Sequence, residues 1–401
     1  MSAPTRTDQD RMPRIVRLMG TSAGLIGANV HYSQPLLPLI AVSLGVAPEI
    51  VGGLPAVTQL GFALGLLLVL PLADMLDRKK LVIVTVVIAA GALVGQAAAP
   101  SVAWLLVAGF FVGAASVAPQ VLSPFAASLA PAGREGQAAG TVLSGILMGV
   151  LLSKIVAGTV AATAGWQLLY VGASVAMLVL AIVLWRALPA APPTGALRWR
   201  ELLTSPVRLL RQHERLRVHS MLGALVSAMF MAFWATYAIH LETTFGWGAF
   251  LAGLFGIAGI AGSLLAPLSG RAVDRGMLRR VLLVAAAAAT AAFLGLGFGG
   301  GSAVAILLCV VALDGAVGLT HAANQGRIFA IDPSARGRLN SVYMFSYFSG
   351  GAVGSALAAA AYAGFGWWGT CGVGLLLAAA MWLTIVLKRR VLRSDPAPAA
   401  S

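Results

Sequence analysis

Charged side chains are scarce in this chain. Its 401 residues include 27 Lys and Arg but only 13 Asp and Glu, so 10% of the residues are charged, against about 25% in soluble domains. This shortage excludes a soluble protein of the same size, because the chain could not cover its surface with charge. Hydrophobic residues make up 59% of the sequence and the mean hydropathy is +0.90. Together these values predict a polytopic membrane protein.

Cysteine and the usual catalytic motifs are also sparse. The two cysteines, Cys309 and Cys371, lie in apolar runs and give no disulfide framework. We find no glycine-rich phosphate loop, Cys/His metal set or nucleophile–base arrangement. Asp74 and Asp77 resemble a metal-binding pair, but Arg78 adjoins them and there is no second acidic cluster. We therefore predict no enzyme activity, no metal and no cofactor, and transport driven by an ion gradient and not by ATP.

Apolar runs of membrane-spanning length recur along the whole chain. A membrane helix needs about 20 apolar residues. We predict twelve spans, numbered in order: 17–41, 50–72, 81–99, 102–127, 138–162, 166–187, 218–241, 248–270, 280–299, 303–326, 339–363 and 367–387. The longest break, 188–217, is Pro-rich and then basic. The predicted fold is therefore an all-α membrane protein with an N-terminal half (1–187), a cytoplasmic linker (188–217) and a C-terminal half (218–401).

The basic residues fall on one side of this arrangement. They flank the start of span 1, follow spans 2, 4, 8 and 10, fill the linker and close the chain, whereas the opposite loops carry no Lys or Arg. By the positive-inside rule, both termini are predicted to be cytoplasmic. The net charge of +14 is thus explained by basic loops on the cytoplasmic side of the membrane, and it does not predict a nucleic-acid partner. Lys154 is the exception, because it lies well inside span 5.

The two halves repeat each other at a nearly constant offset. The matching landmarks, 200 to 202 residues apart, are Asp74 with Asp274, Lys79-Lys80 with Arg279-Arg280, Gly165-Trp166 with Gly366-Trp367, and "PAGR" from Pro131 with "PSAR" from Pro333. Parallel repeats of six spans are typical of transporters whose substrate site lies near the midplane, between the halves.

Two loops and two spans carry recognisable motifs. The loops are "LPLADMLDRKK" (70–80) and "GRAVDRGMLRR" (270–280); the spans contain "ANVHYSQPLLPLIA" (28–41) and "RGRLNSVYMFSYFSGGAVGS" (336–355). With these motifs the sequence resembles the major facilitator superfamily, and the likeness covers essentially the whole chain. The first loop lacks the glycines of the family signature. The spans are similar to a bacterial branch of drug/proton antiporter-like members, close to purine-nucleoside and sugar efflux proteins. That branch usually has Y-Y-N-Q where this chain has "HYSQ".

The resemblance implies a mechanism and a set of gating residues. It implies that the two six-helix halves rock about a midplane cavity lined by spans 1, 4, 7 and 10, giving access to each side in turn. It also implies cytoplasmic gating by residues of the two signature loops. These gating candidates are Asp74, Arg78, Lys79, Asp274 and Arg275.

Span 10 carries the strongest candidates for ion coupling. Asp314, Gly318, His321 and Gln325 fall on one helical stripe, and a carboxylate at membrane depth is by default a functional hypothesis. Asp314 and His321 are about 10 Å apart along the axis, so a water or a rotamer change could connect them for protons. The alternatives are that Asp314 ties helices together and that His321 has a capping or hydrogen-bonding role.

Lys154 is predicted to be the counter-charge of Asp314. The resemblance places span 5 against the opposite half, where an ion pair would settle both buried charges. Binding of substrate or of a proton to Asp314 would then release Lys154. The alternative is that Lys154 snorkels to the outer interface, since it lies about 24 Å along its helix from Ala138.

The remaining candidates are polar or aromatic side chains on the cavity helices. In span 1, Asn29, Tyr32 and Ser33 share one face at 100° per residue, and His31 and Gln34 share nearly the opposite face. We predict that one set lines the cavity while the other bonds neighbouring helices, with a bend at Pro35 and Pro38. The other cavity candidates are Gln120, Trp234, Tyr237, Gln325 and Tyr347; packing is the alternative for the aromatic residues.

The sequence therefore predicts proton-coupled efflux of a small organic compound across a bacterial cytoplasmic membrane. The alternatives are uptake or facilitated diffusion of a sugar or nucleoside, sodium in place of protons, and a transporter-fold sensor without net transport. The expected partners are the substrate, protons and the lipid bilayer, and the expected state is a monomer.

Overall fold

The computed structural model describes residues 6–131, 134–192, 208–258, 269, 272–273, 275–332 and 336–392, apart from the side chains of residues 6–12, Asp74 and Arg336. Within these ranges all the regular secondary structure is helical. The mainly apolar composition predicts this outcome, because a helix satisfies its backbone hydrogen bonds internally and can therefore cross a bilayer.

The N-terminal half forms six membrane-spanning units. Their helices are Arg6–Ala28 and Leu37–Leu44 (span 1), Pro48–Val51 and Gly53–Leu68 (span 2), Arg78–Ala97 (span 3), Val102–Ala115 and Ala118–Leu129 (span 4), Glu135–Ala164 (span 5) and Trp166–Ala187 (span 6). A short helix, Leu72–Met75, follows span 2 and contains the backbone of Asp74.

The C-terminal half repeats this order. Its helices are Glu214–Phe245 (span 7), Ala249–Leu254 continued by the 3₁₀ turn Phe255–Ile257 (the start of span 8), Leu278–Gly299 (span 9), Ala303–Phe329 (span 10) and Arg336–Leu387 (spans 11 and 12). The last helix is interrupted at Gly366, whose φ of 57° and ψ of −145° suit a glycine. Spans 11 and 12 therefore meet at the predicted boundary.

The twelve-span prediction is confirmed. Among the described residues, nine helices are long and apolar enough to cross a membrane, and the longest of them contains both span 11 and span 12. Span 1 is divided by a break, and most of span 8 lies outside the described residues. The proposed linker also lies largely outside them, so the boundaries of the two halves stay a prediction.

The break in span 1 begins before its prolines, at a different place from the predicted bend. The first helix ends at Ala28, and tight turns follow in which the His31 N–H bonds to Ala28 O (3.0 Å) and the Gln34 N–H to His31 O (3.3 Å). Pro35 has no N–H and its ring would clash with the carbonyl of residue 31 in a continuous helix. The helix therefore opens within the turn that precedes Pro35.

Close helix contacts join the two halves. Phe62 of span 2 packs against Phe348 of span 11 with ring centroids 4.4 Å apart. Gly158 of span 5 approaches the backbone of Ala249, and Gly253 of span 8 approaches that of Lys154. Small residues permit such approach between membrane helices. The span 5–span 8 contact holds Lys154 at the boundary between the halves.

Candidate functional site

Lys154 points into the boundary between the halves. It is only 3% exposed, and its Nζ lies 2.7 Å from the ring centroid of Trp234 in span 7. Its stem passes over Gly256, where an added Cβ would lie 2.9 Å from Lys154 Cδ. The aromatic face attracts the ammonium, and the glycine leaves room for the stem. This orientation differs from the snorkelling alternative, which requires the ammonium at the outer surface.

Asp314 is buried beside the same tryptophan, whose side chain acts on its carboxyl group. The residue is 7% exposed and interacts electrostatically with Lys154. Both side chains are among those the structure describes, and no direct ion pair within 4.0 Å joins them. Asp314 Oδ1 and Trp234 Nε1 are buried and close no hydrogen bond of standard geometry among the described residues, but the indole N–H lies near enough to act on the carboxylate. Span 5 and span 10 thus present opposite charges to one site without a closed salt bridge.

One face of the span 1 break contributes to this site. The charge of Lys154 acts on His31, whose Nδ1 lies 3.4 Å from Gln34 Nε2. Gln34 Nε2 also lies 3.7 Å from the sulfur of Met231 in span 7. His31 and Gln34 therefore lie together and face the other half.

The other face of the break packs within the N-terminal half. Asn29 Nδ2 lies 3.4 Å from the sulfur of Met177 in span 6, and Tyr32 is buried near Tyr170 of the same span. The two predicted faces are thus separated in the structure. His31 and Gln34 are directed to the boundary, whereas Asn29 and Tyr32 are directed to span 6.

A second polar cluster lies between spans 10 and 11. The Tyr343 hydroxyl and His321 Nδ1 are 3.0 Å apart, and the Tyr347 ring lies edge-on to His321 with centroids 5.0 Å apart. Tyr347 also lies within electrostatic range of Asp314. Gln325 Nε2 donates to Asn340 Oδ1 at 3.4 Å. Hence His321 and Gln325 both bond span 11, and Tyr347 lies near both His321 and Asp314.

The aromatic residues of span 7 divide between packing and the charged site. Tyr237 donates its hydroxyl proton to Ala252 O of span 8 at 3.2 Å, and Phe233 packs on Trp367 with centroids 6.2 Å apart. Trp234 packs on Tyr237 at 4.8 Å and also meets Lys154. Tyr237 thus has a packing contact, and Trp234 lies in the charged site.

Span 4 supplies packing along its glycine stripe. A Cβ at Gly109 or Gly113 would overlap Leu54 or Thr58 in span 2, so these glycines allow two helices to touch. Gln120 lies beyond the interruption of span 4 and is half-buried. Its position at the boundary cavity stays a prediction.

The gating candidates contact their own halves in the described part of the chain. Arg78 Nε donates to Ala73 O at 3.4 Å, and Lys79 Nζ lies 5.6 Å from the ring centroid of Trp185 in span 6. Arg275 lines a basic pocket at the start of span 9. The side chain of Asp74 and the whole of Asp274 lie outside the described residues.

One polar contact across the boundary and one within the C-terminal half involve residues that the sequence analysis did not select. Gln59 Nε2 of span 2 lies 3.3 Å from the sulfur of Met231, and His219 Nδ1 of span 7 lies 2.8 Å from Asn324 Oδ1 of span 10. Gln59, His219 and Asn324 are polar residues within apolar runs, which is a usable signal. Met231 carries no such signal, because methionine is common in any apolar core.

The fold and this boundary define the class of protein. Two six-span halves with buried charges between them are the architecture of a secondary transporter.

Comparison with known families gives the particular family. The Major Facilitator Superfamily model matches residues 19–331, and the chain belongs to this superfamily. It is therefore a multi-pass membrane transporter of small molecules.

Relatives with similar sequences carry transporter names. An uncharacterized transporter, YgaY, of Escherichia coli O157:H7 is 36% identical over 375 residues, which cover 93% of this chain and 95% of the relative. The probable transporter SCO4007 of Streptomyces coelicolor is 34% identical over 376 residues, covering 92% of this chain and 85% of the relative.

Solved structures share the fold at low sequence identity. The nucleoside transporter NupG has a TM-score of 0.73 at 13% identity, with 96% of this chain and 100% of NupG covered. An inward-facing bacterial homologue of the human lysosomal transporter Spinster has a TM-score of 0.69 at 17% identity, with 95% of both chains covered. At these identities the likeness concerns the fold alone.

Proposed function

We propose that the chain exports a small organic compound in exchange for protons, with Asp314 as the proton-responsive acid and Lys154 as its counter-charge. The observation that carries this proposal is the placement of one buried acid and one buried base on opposite halves, at the same tryptophan. A charge at the bilayer centre costs about 3 kcal/mol on insertion scales. Because the two charges are not locked in a direct salt bridge, protonation or substrate binding can switch the attraction between them on and off.

Coupling follows from the change in charge. Deprotonated Asp314 attracts Lys154 across the boundary and favours the arrangement in which spans 5 and 10 approach. Protonation removes this attraction and leaves the ammonium with Trp234, so the relative free energy of the two arrangements changes. A substrate that interacts with Lys154 or Asp314 would change the same balance, and linkage then makes proton and substrate binding interdependent.

The second polar cluster supplies a route towards the cytoplasmic end. Tyr347 lies near both Asp314 and His321, and His321 is bonded to Tyr343. Rotation of the tyrosine hydroxyls, with water, would carry a proton along this side of span 10. His31 and Gln34 on the span 1 break would contact the substrate, with Trp234 as an apolar wall. Orientation with both termini in the cytoplasm, gating by the two signature loops and location in a bacterial cytoplasmic membrane complete the proposal.

The experiment combines substrate identification with a coupling measurement. A thermal-stability screen of the purified protein against nucleosides, sugars, amino acids and drugs gives the ligand. Flux of that ligand in proteoliposomes is then measured with an imposed pH gradient and, separately, with a sodium gradient. We expect Asp314→Asn to abolish the response to the pH gradient while the ligand still shifts the thermal unfolding.

Glu242→Gln is the matched control, because Glu242 is an exposed acid at the end of span 7. It should leave the proton response unchanged. Proton-driven flux that persists in Asp314→Asn removes Asp314 from the mechanism. Flux that responds to the sodium gradient and not to the pH gradient would identify sodium as the coupling ion. Downhill flux that responds to neither gradient would support facilitated diffusion.

A further inference from the structure

A pocket of about 530 Å³ opens at the start of span 9, outside the boundary between the halves. Four guanidinium-bearing residues line it, together with apolar side chains at and just before the start of span 9 and just after span 12. The lining includes Arg275, Arg279, Arg280, Arg327, Met277, Leu278, Leu283 and Leu392. The described residues that line this pocket include no acid.

The pocket holds its arginines in different ways. Arg327 Nη2 donates to Val273 O at 3.1 Å, which fixes this guanidinium at the wall. Arg279 Nε is buried and makes no hydrogen bond to the described residues, whereas Arg275 and Arg280 are exposed. Planar guanidinium groups bind phosphate oxygens with paired N–H donors. The convergence of four of them in one concavity favours an oxyanion.

The equivalent position in the N-terminal half, the start of span 3, is occupied by an anionic group. Span 3 begins at Arg78 and span 9 at Leu278, 200 residues apart. In the N-terminal half the Asp77 carboxylate accepts the backbone N–H of Lys79 (2.9 Å) and of Lys80 (3.3 Å). An anion therefore sits on the first backbone donors of span 3, where the helix dipole favours it.

Among the described residues of the C-terminal half, no side chain takes the place of this anion. The residue that matches Asp77 at the same offset is Met277, which makes no side-chain capping bond. The two lysines are replaced by Arg279 and Arg280, and these are the residues that line the pocket. One half thus carries its own carboxylate at this location, and the other offers a basic pocket in its place.

We propose that this pocket binds a phosphate group, supplied by the headgroup of an anionic phospholipid or by free phosphate. Its volume lies in the range of small-molecule sites, which is larger than one phosphate requires. Leu283 and Leu392 give it an apolar side next to the membrane-spanning helices. Basic pockets between helices on the cytoplasmic side recognise lipid headgroups by this combination of charge and apolar surface.

The test uses the full-length protein purified in a neutral detergent. Thermal unfolding is followed while phosphatidylglycerol, phosphatidylcholine or inorganic phosphate is added at constant ionic strength. We expect phosphatidylglycerol to raise the unfolding temperature and phosphatidylcholine to have little effect. A response to phosphatidylglycerol alone assigns a lipid headgroup, whereas a response to inorganic phosphate as well assigns a site for phosphate from either source.

Matched variants locate the response. The double variant Arg279→Gln, Arg280→Gln should raise the phosphatidylglycerol concentration at half-saturation by about tenfold or more, because charge-assisted hydrogen bonds are lost. Lys79→Gln with Lys80→Gln, the equivalent change in the other half, should keep the response. Met277→Asp keeps every arginine and supplies the missing carboxylate, so it should raise the starting stability and suppress the response.

Three results would overturn the proposal. They are the absence of any wild-type response to phosphatidylglycerol and phosphate, an unchanged response in both the double arginine variant and Met277→Asp, and an equal loss in the double lysine control. Because Met277→Asp keeps all four arginines, a lost response together with a raised unfolding temperature separates anion competition from misfolding.

Discussion

The molecule contains two lysine–acid pairs that differ in both separation and burial: one is close and exposed, the other is farther apart and buried. Lys388 Nζ lies 2.8 Å from Glu214 Oε1, and the two side chains are 46% and 47% exposed. Lys154 and Asp314 are almost fully buried yet do not close a direct ion pair within 4.0 Å. The shorter pair is the weaker one, because water and salt screen exposed charges.

Burial and separation together make Lys154–Asp314 the candidate for function. A charge removed from water has few ways to compensate for a change in its partner, so each partner strongly affects the other. Room between the two charges also permits their separation to change as the halves move. The exposed pair joins the start of span 7 to the end of span 12 in the same half, where proton or substrate movement is not expected to alter it.

The largest effect is expected from neutralising the buried pair. Lys154→Gln alone leaves a buried carboxylate without its counter-charge, and Asp314→Asn alone leaves a buried ammonium. Breaking a buried pair in this way costs about 3–5 kcal/mol. The double variant removes both charges and should recover much of the free energy of unfolding, although proton coupling stays lost.

Thermal or denaturant unfolding of the four proteins gives the coupling energy of a double-mutant cycle. Additive destabilisation in the double variant would show that the two charges do not interact. It would also reduce the buried site to two unrelated residues and remove the contrast with the exposed pair.

A smaller effect is expected from Gly256→Ala. The new methyl group would lie 2.9 Å from Lys154 Cδ and 3.1 Å from its Cβ, so the flexible stem must shift from Trp234. Such overpacking costs about 1–3 kcal/mol, and the shift should also change proton-coupled flux.

Gly140→Ala is the matched control, because an added Cβ there meets nothing within 4 Å and alanine favours a helix interior. It should be neutral or slightly stabilising. Equal unfolding temperatures and equal flux for Gly256→Ala and wild type would show that the position of the lysine stem does not matter.

The sequence predicts the fold more completely than the site. Apolar run length, basic loops and the repeat at 200 residues specify twelve spans, because each rests on local chemistry that the bilayer enforces. The 100° reading of span 1 also separates His31 and Gln34 from Asn29 and Tyr32. It does so although the helix ends at Ala28, since the chain continues in tight turns as far as Ser33, whose φ of −66° and ψ of −26° are helical.

Cross-half contacts are harder to predict. The direction taken by Lys154 depends on Gly256 and Trp234, which are 102 and 80 residues away in the sequence and meet it only after spans 5, 7 and 8 pack. The Met231 contacts with Gln34 and Gln59 have the same origin. A pattern within one span specifies which face is polar, but it does not specify which neighbour that face meets.

The smallest effect is expected from the exposed pair. Glu214→Gln or Lys388→Gln removes one charge from a side chain that is nearly half exposed, so water replaces the lost interaction. The unfolding temperature should stay within experimental error of wild type at physiological salt, and any difference at low salt should fade as salt is added. Proton-coupled flux should be unchanged in either variant.

A loss of flux comparable to that of Asp314→Asn would mean that the contact between spans 7 and 12 takes part in the transport cycle. The exposed pair would then join the buried one in the mechanism, and burial would no longer distinguish a functional charge pair from a structural one.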